Sequence, residues 1–318
     1  MSFPVAADTA QARKARGAFF TPPELCRFVA DWAITSAADD VLEPSCGEAA
    51  FLLAAGERMT ALGQLTGQGL GGLDGVELYA DSARQAEALV RGAGHHEARV
   101  IAGDFFLVEP TAGYDAVIGN PPYVRYQDFA GEARARSREA ALRAGVALTG
   151  LASSWAAFTV HAALFLKPGG RLGLVLPAEL LSVNYAAEVR RFLMERFARV
   201  RLVLFTERVF PGVLEEVVLL LAEGYEHGPA GHCELQQVRT AADLAGAMPV
   251  TRRWTPSPVE AKWTPSLLST HALEAYLRME QGGHFTPLQT WGETTLGMVT
   301  GNNRYFALSP ARAAELGL

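Results

Sequence analysis

Cysteine is scarce in this chain, and basic charge is not in excess. The 318 residues hold three cysteines, Cys26, Cys46 and Cys233. Their number is odd and their spacing is not that of a metal site. No disulfide framework and no metal are therefore expected, and reduced thiols in a cytoplasm are the simple reading. No apolar run reaches the roughly 18 residues of a membrane span. The opening stretch MSFPVAADTAQARKARGAFF contains no apolar core of signal-peptide kind. No G-x-G-x-x-G run follows an apolar strand pattern and opens a helix; the one match, Gly67 to Gly72, precedes the apolar run that starts at Leu73. Without that phosphate-cradling turn NAD, FAD and ATP are disfavoured, and a nucleoside lacking a pyrophosphate fits better. The formal net charge is −6, so the general basic surface that phosphate contacts favour is absent. A basic stripe, if there is one, is local or lies outside these residues.

What the chain does have is a hydrophobic share of 49% against 19% charged, a globular composition long enough for one large domain or two. Short apolar runs end repeatedly in a carboxylate or an amide and lead into a helical pattern. Val41–Leu42 runs into Glu43-Pro44-Ser45-Cys46-Gly47, and a helix is predicted from about residue 48 to 61. Leu73 to Val76 ends at Glu77, before a helix from about 81 to 92. Ala98 to Ala102 leads to Asp104-Phe105, and Ala116 to Ile118 leads to Asn120-Pro121-Pro122-Tyr123. Further strands are predicted near 171–176, 200–205 and 216–222, with helices near 155–166 and 185–196. Strands alternating with helices predict an α/β fold, a mostly parallel sheet with helices on both faces. Ligands of such sheets bind beyond the carboxyl ends of the strands. Glu43, Glu77, Asp104 and Asn120 all fall there and read as one continuous site.

Each of these residues has a chemical reading. Gly47 lets a ligand approach the backbone closely. Glu77 can accept hydrogen bonds from two ribose hydroxyls, and Asp104 one from an adenine amino group, with Phe105 against the ring. The interval from Glu43 to Glu77 exceeds the roughly 20 residues of a dinucleotide fingerprint, the excess falling in the glycine-rich stretch from Gly63 to Gly72. Asn120 to Tyr123 suit methylation of a planar nitrogen. The lone pair of such an amine is conjugated with its ring and must be drawn toward tetrahedral geometry. The Asn120 side-chain oxygen and the Pro121 carbonyl can accept its two hydrogens. Pro121 and Pro122 fix two φ angles and hold that carbonyl still, and preorganised dipoles of this kind are the usual large term in catalysis. Tyr123 offers a face on which an extruded base can stack.

In this order the residues resemble the gamma-class, TaqI-like DNA adenine-N6 methyltransferases, from about Phe19 to Ala222. Phe20-Thr21-Pro22 resembles motif X, which touches the methionine end of the cofactor. Leu42-Glu43-Pro44-Ser45-Cys46-Gly47 with Phe51 is similar to motif I. Glu77, with Leu78 following, matches motif II, Asp104-Phe105 motif III, and Asn120-Pro121-Pro122-Tyr123 motif IV. Phe210 resembles the motif VIII aromatic that contacts a flipped base. The resemblance implies a Rossmann-like class I methyltransferase fold and S-adenosyl-L-methionine as cofactor, held by Thr21, Pro22, Glu43, Ser45, Gly47, Glu77, Leu78, Asp104, Phe105, Asn120 and Pro122. It further implies double-stranded DNA as substrate, with Asn120, Pro121, Pro122, Tyr123 and Phe210 as the catalytic set. At Ser153-Ser154-Trp155 many relatives carry an Asp and a Tyr, so no role is assigned there. The implied organisation is a catalytic domain over residues 1–225, an extension and linker over 226–284, and the start of a target recognition domain over 285–318 that opens near Thr300-Gly301-Asn302-Asn303. A chain ending inside that domain, or a partner that reads the DNA sequence, would account for the acidic charge. A restriction nuclease is a second expected partner, and a membrane is not.

Three other readings stay open. Protein-glutamine and ribosomal-RNA methyltransferases use a similar Asn-Pro-Pro-aromatic motif, although Thr21-Pro22 directly before motif I leaves no room for the extra N-terminal domain of the glutamine enzymes. Cytosine N4 presents the same amine chemistry, with Ser commoner than Asn in the motif. A non-catalytic DNA-binding subunit is the third, against which the intact tetrapeptide stands. His95-His96 reads as a solvated turn, His161 as a satisfied helix residue and Cys46 as a small turn residue. Arg134, Arg136, Arg138 and Arg143 lie in a stretch read as a mobile loop with some helix. They suit a phosphate-tracking stripe or a solvated helix face equally.

Overall fold

The computed structural model describes residues 21–128, 130–210, 216–245, 252–258, 261–283, 285–286, 288–292 and 308–317. Phe20, Pro211 and residues 300–303, which the sequence singled out, lie outside the described residues. Two compact units make up the chain, Met1–Leu268 and Ser269–Leu318.

In the first unit α1 (Pro23–Ala33) starts on a proline, whose missing N–H is no loss in a first turn, and buries Leu25, Cys26, Val29, Ala30 and Ala33 along one face. Then come β1 (Val41–Glu43), α2 (Ala50–Thr66), β2 (Leu73–Glu77), α3 (Ala80–Gly92), β3 (Arg99–Ala102), β4 (Tyr114–Gly119), α4 (Gly131–Arg143), α5 (Ser154–Ala163) and β5 (Leu166–Pro177). After these follow α6 (Ala187–Arg196), β6 (Phe197–Phe205), β7 (Val217–Tyr225), β8 (Cys233–Val238) and β9 (Arg252–Trp254). All nine strands form one sheet in the order β3-β2-β1-β4-β5-β7-β6-β8-β9. The strands from β3 through β5 in that order run parallel, whereas β7 is antiparallel to both β5 and β6. The chain leaves β1 toward β2 on one side and returns to β4 on the other. This reversal opens a crevice above the carboxyl ends of β1 and β4, the place where such sheets bind ligands. Strands in the middle of the sheet are covered on both faces: all three residues of β1 and the first six of β7 are buried.

Several expectations need correction. Helix α2 continues to Thr66 and stops at Gly67, whose φ of +71° provides a left-handed cap, so the first four residues of the expected glycine-rich loop, Gly63 to Thr66, are helix. Strand β5 begins at Leu166, and Lys167-Pro168-Gly169-Gly170 is a bulge inside it, with the pairing jumping from Tyr114–Leu166 to Ala116–Arg171. His95 is not solvated. It is 9% exposed, and a Cβ on Gly56 of α2 would lie 2.4 Å from its Nε2. The stretch around Arg136, read as a mobile loop with some helix, contains the thirteen-residue helix α4. Residue 225 does not end the sheet, because β8 pairs parallel with β6 and β9 antiparallel with β8. Within the stretch read as linker, Trp263 is fully buried and meets Trp254 edge-on at 6.2 Å. Arg252 donates to the Ser266 and Leu268 carbonyls.

The second unit contains α7 (Thr270–Gln281), with the Ser269 hydroxyl accepting from the Ala272 amide, and α8 (Pro310–Glu315), capped in the same way by Ser309. Among the described residues no helix is long and apolar enough to cross a membrane, and no group of three or more His, Cys, Asp or Glu is placed to hold a metal ion.

Candidate active site

The turn after β1 is built around Gly47, which has a φ of +48°. Its amide donates to Glu77 Oε2 at 3.0 Å, and Glu77 Oε1 accepts from the Tyr79 amide at 3.1 Å. A Cβ placed on Gly47 would meet nothing within 4 Å, so the space over this turn is open to a ligand. In the next strand Ala102 stands opposite Glu77, which brings Asp104, two residues further on, beside it. Asp104 Oδ1 accepts from the Phe106 amide at 3.0 Å and caps the turn Phe105–Leu107. Two carboxylates thus follow the carboxyl ends of adjacent strands, each accepting from backbone amides. This donor and acceptor set suits a nucleoside.

Glu43 is placed differently. It is 3% exposed and accepts from the Leu52 amide at 3.0 Å, so it ties β1 to the first turn of α2. Burial holds its carboxyl well above the ordinary glutamate range, against the lowering pull of that amide, and the charge of Glu77 adds to the rise. Burial, with Glu43 and Glu77 nearby, also raises the Cys46 thiol. Cys46 is thus protonated and is not a nucleophile. Leu78 is well exposed, at 59%. Pro22 closes the start of α1, its carbonyl accepting from the Leu25 amide at 3.0 Å.

The expected placement of Phe105 against a ligand ring is not what the backbone produces. Its ring is 3% exposed and stacks on Phe158 and Phe165, each at 5.1 Å. The 3-10 turn that Asp104 caps rotates the side chain into this cluster. His161 joins the cluster edge-on at 4.8 Å. Burial lowers its pKa to about 4, so the ring is neutral, and Nε2–H donates to the Phe105 carbonyl at 3.2 Å. Sequence reasoning missed that support for the Asp104 turn.

On the other side of the crevice Asn120 is held at three atoms. Its Nδ2 donates to Thr21 Oγ1 at 3.1 Å, its Oδ1 accepts from the Tyr123 hydroxyl at 2.7 Å, and its carbonyl lies 3.4 Å from Ser45 Oγ. Tyr123 packs against a buried cluster that includes Phe210, itself 3% exposed. The structure therefore joins Thr21, Ser45, Asn120 and Tyr123 on one side and Gly47 with Glu77 on the other, with Asp104 just beyond the end of the neighbouring strand. Ser154, to which the sequence gave no role, contacts the segment after Pro121. The four α4 arginines are engaged within the chain. Arg136 pairs with Asp104 at 3.4 Å and with Glu132, and Arg143 pairs with Glu109 at 3.1 Å. Arg138 donates to the Leu148 carbonyl at 3.2 Å, and Arg134 to that of Tyr126. These contacts favour a helix stapled onto its neighbours over a phosphate-tracking stripe.

Comparison with known proteins identifies the fold and the family. Residues 260–318 match the C-terminal domain of the type II methyltransferase M.Eco57I. Over 202 residues the chain is 30% identical to the type II methyltransferase M.XamI of Xanthomonas campestris pv. amaranthicola, an alignment covering 62% of this chain and 37% of that one. The chain spans between about a third and about half of the length of the curated relatives it matches. The M protein of the type I restriction enzyme EcoKI superposes with a TM-score of 0.55 at 18% identity, over 70% of this chain and 48% of that one. A proposed class I S-adenosylmethionine-dependent methyltransferase of Listeria monocytogenes gives 0.55 at 19%, over 71% and 68%. The fold is accordingly that of the class I S-adenosylmethionine-dependent methyltransferases, which carry S-adenosyl-L-methionine as cofactor. Residues 5–229 match the N-6 DNA Methylase family, and since that match covers more than half of the chain and takes in strands β1 to β7, the chain belongs to this family.

Proposed function

We propose that the chain methylates the N6 amino group of an adenine flipped out of double-stranded DNA, as the modification activity of a restriction-modification or phage-defence system. What carries the reading is the way Asn120 is held. A side-chain carbonyl has two lone pairs. One meets the Tyr123 hydroxyl, which leaves the other for an amine hydrogen. The Nδ2 end of the amide is engaged by Thr21 Oγ1, which leaves the oxygen on the Tyr123 side. The second amine hydrogen goes to the Pro121 carbonyl, steadied by its proline ring and its proline neighbour. Together these acceptors draw the nitrogen lone pair out of conjugation before it attacks, and Tyr123 would receive the base, with the buried Phe210 reaching it only by moving out of the cluster in which it packs.

S-adenosyl-L-methionine supplies an electrophilic methyl group on a sulfonium. The residues fit it. Open space over Gly47 admits the close approach of a ligand, Glu77 would hold the ribose hydroxyls, and Asp104 would hold the adenine amino group. Ser45, Leu78, Pro22 and Pro122 would complete the walls of the cofactor site. The order of the motifs, with Thr21-Pro22 ahead of Glu43, supports the gamma class. A nuclease of the same system is the partner this role calls for.

The test is transfer of labelled methyl to duplex DNA, single-stranded DNA, RNA and protein supplied in parallel. Label on duplex DNA is expected. Label on RNA or protein alone would replace this reading with one of its rivals.

A further inference from the structure

Two serines open α5, and neither acts as a helix cap. Ser153 occupies the cap position without a side-chain bond to the helix, although serine there ordinarily accepts from the second or third amide of its own helix. The hydroxyl of Ser154 points instead at the segment after the Asn-Pro-Pro-Tyr turn. Its oxygen accepts from the Val124 amide at 2.9 Å, and its hydrogen goes to the Pro122 carbonyl. The Ser154 amide donates to the Val124 carbonyl at 3.0 Å. With 3% of its surface exposed, Ser154 makes these bonds with little competition from water.

The torsions of the turn show what such a clamp does. Peptide planes are rigid, and Pro121 and Pro122 each have a locked φ. Upstream, Ser45 holds the Asn120 carbonyl and so restrains ψ of Asn120. Downstream, the Pro122 carbonyl held by Ser154 restrains ψ of Pro122, and the pair of bonds to Val124 anchors the chain beyond Tyr123. Between the clamps, ψ of Pro121 is the main freedom left, and it is the angle that aims the Pro121 carbonyl. We propose that Ser154 is a positioning residue that clamps the downstream half of the Asn-Pro-Pro-Tyr turn and thereby aims the Pro121 carbonyl and the Tyr123 ring at the target amine. The inference rests on the reading of these residues as a methyl-transfer site.

The experiment uses the chain with Ser154→Ala, with Ser154→Cys as a control of similar size, and with Ser154→Thr to restore a hydroxyl. Three quantities are read in each: the single-turnover rate of methyl transfer to duplex DNA at saturating cofactor, the cofactor Kd by calorimetry, and hydrogen exchange of the Val124 amide relative to amides within α5. Misplacement of a reacting group by about 1 Å costs on the order of a hundredfold. Ser154→Ala and Ser154→Cys are expected to lose about ten- to a hundredfold in the transfer rate, with cofactor Kd within about twofold of the parent. Val124 should exchange faster while the α5 amides hold, and Ser154→Thr should recover most of the rate. An equal loss of cofactor affinity, or a rate that stays at the parent level while Val124 is deprotected, would overturn the proposal. So would unchanged exchange at Val124. Should the parent chain fail to methylate DNA, the functional reading falls, and the Val124 exchange still decides whether the clamp exists.

Discussion

The hydroxyl of Tyr123 lies 2.7 Å from the side-chain oxygen of Asn120 and 2.9 Å from the carbonyl of Val175. It has one hydrogen for two acceptors, so the Asn120 amide is oriented by a bond that can be shared with the backbone of β5. Tyr123 is thus more than a stacking surface.

Tyr123→Phe keeps the ring and removes this bond. An ordinary hydrogen bond is worth about 0.5–1.5 kcal/mol, so the variant should lose roughly three- to tenfold in single-turnover transfer. Tyr123→Ala also removes base stacking, worth about 1–3 kcal/mol, and should lose one to two decades more. Phe210→Tyr should be mild and Phe210→Ala severe. A mismatch opposite the target adenine should partly rescue both Ala variants, since extrusion then costs less.

The cofactor side should separate from the catalytic side. Glu77→Ala removes the acceptor of the Gly47 and Tyr79 amides along with the proposed ribose contact. Hydrogen bonds to a charged partner are worth about 1.5–3 kcal/mol, and titration calorimetry should show affinity for S-adenosyl-L-methionine falling by at least tenfold. Asp104→Ala should weaken it as well, by loss of the adenine contact and of the cap on the Phe105–Leu107 turn. Unchanged affinity in both variants would remove these residues from the cofactor site.

Glu43 makes stability depend on pH. Burial raises its carboxyl in the folded chain, so the folded state binds the proton more tightly than the unfolded state. The stability this contributes is fully present below the ordinary glutamate range and is lost as pH rises through the raised value. Glu43→Gln keeps an acceptor for the Leu52 amide and cannot ionise. Thermal unfolding from about pH 5 to about pH 8 should show a smaller decline for the Gln variant, and a higher midpoint at the alkaline end. A steeper decline in Glu43→Gln would mean that the carboxylate is charged in the folded chain.

The strand-end residues were legible in the sequence because polar groups that close apolar runs have few other places to go. Glu43, Glu77, Asp104 and Asn120 stand at or just beyond the carboxyl ends of β1, β2, β3 and β4. What the pattern does not carry is the direction of a side chain within a turn. Phe105 follows Asp104 whether its ring faces a ligand or the core, and the capped 3-10 turn settles it toward Phe158 and Phe165. Helix α4 was hard to read because its buried residues are Ser137, Ala140 and Ala141, too small and too polar to make an apolar stripe. Strand β9 has three residues, two of them arginines, and shows no alternation. Ser154 was missed because a serine at a helix start reads as a cap, and only the fold brings Pro122 and Val124 within reach of its hydroxyl.

The most direct test of the central claim is the identity of the methylated nucleoside, read together with the Asn120→Ala variant. Duplex DNA treated with the parent chain and S-adenosyl-L-methionine is digested to nucleosides and analysed by mass spectrometry, while calorimetry measures cofactor binding by the variant. N6-methyladenine from the parent chain is expected, with none from Asn120→Ala and a cofactor Kd for the variant within a few-fold of the parent. Methyl on cytosine N4, or N6-methyladenine still formed by Asn120→Ala, would contradict the account.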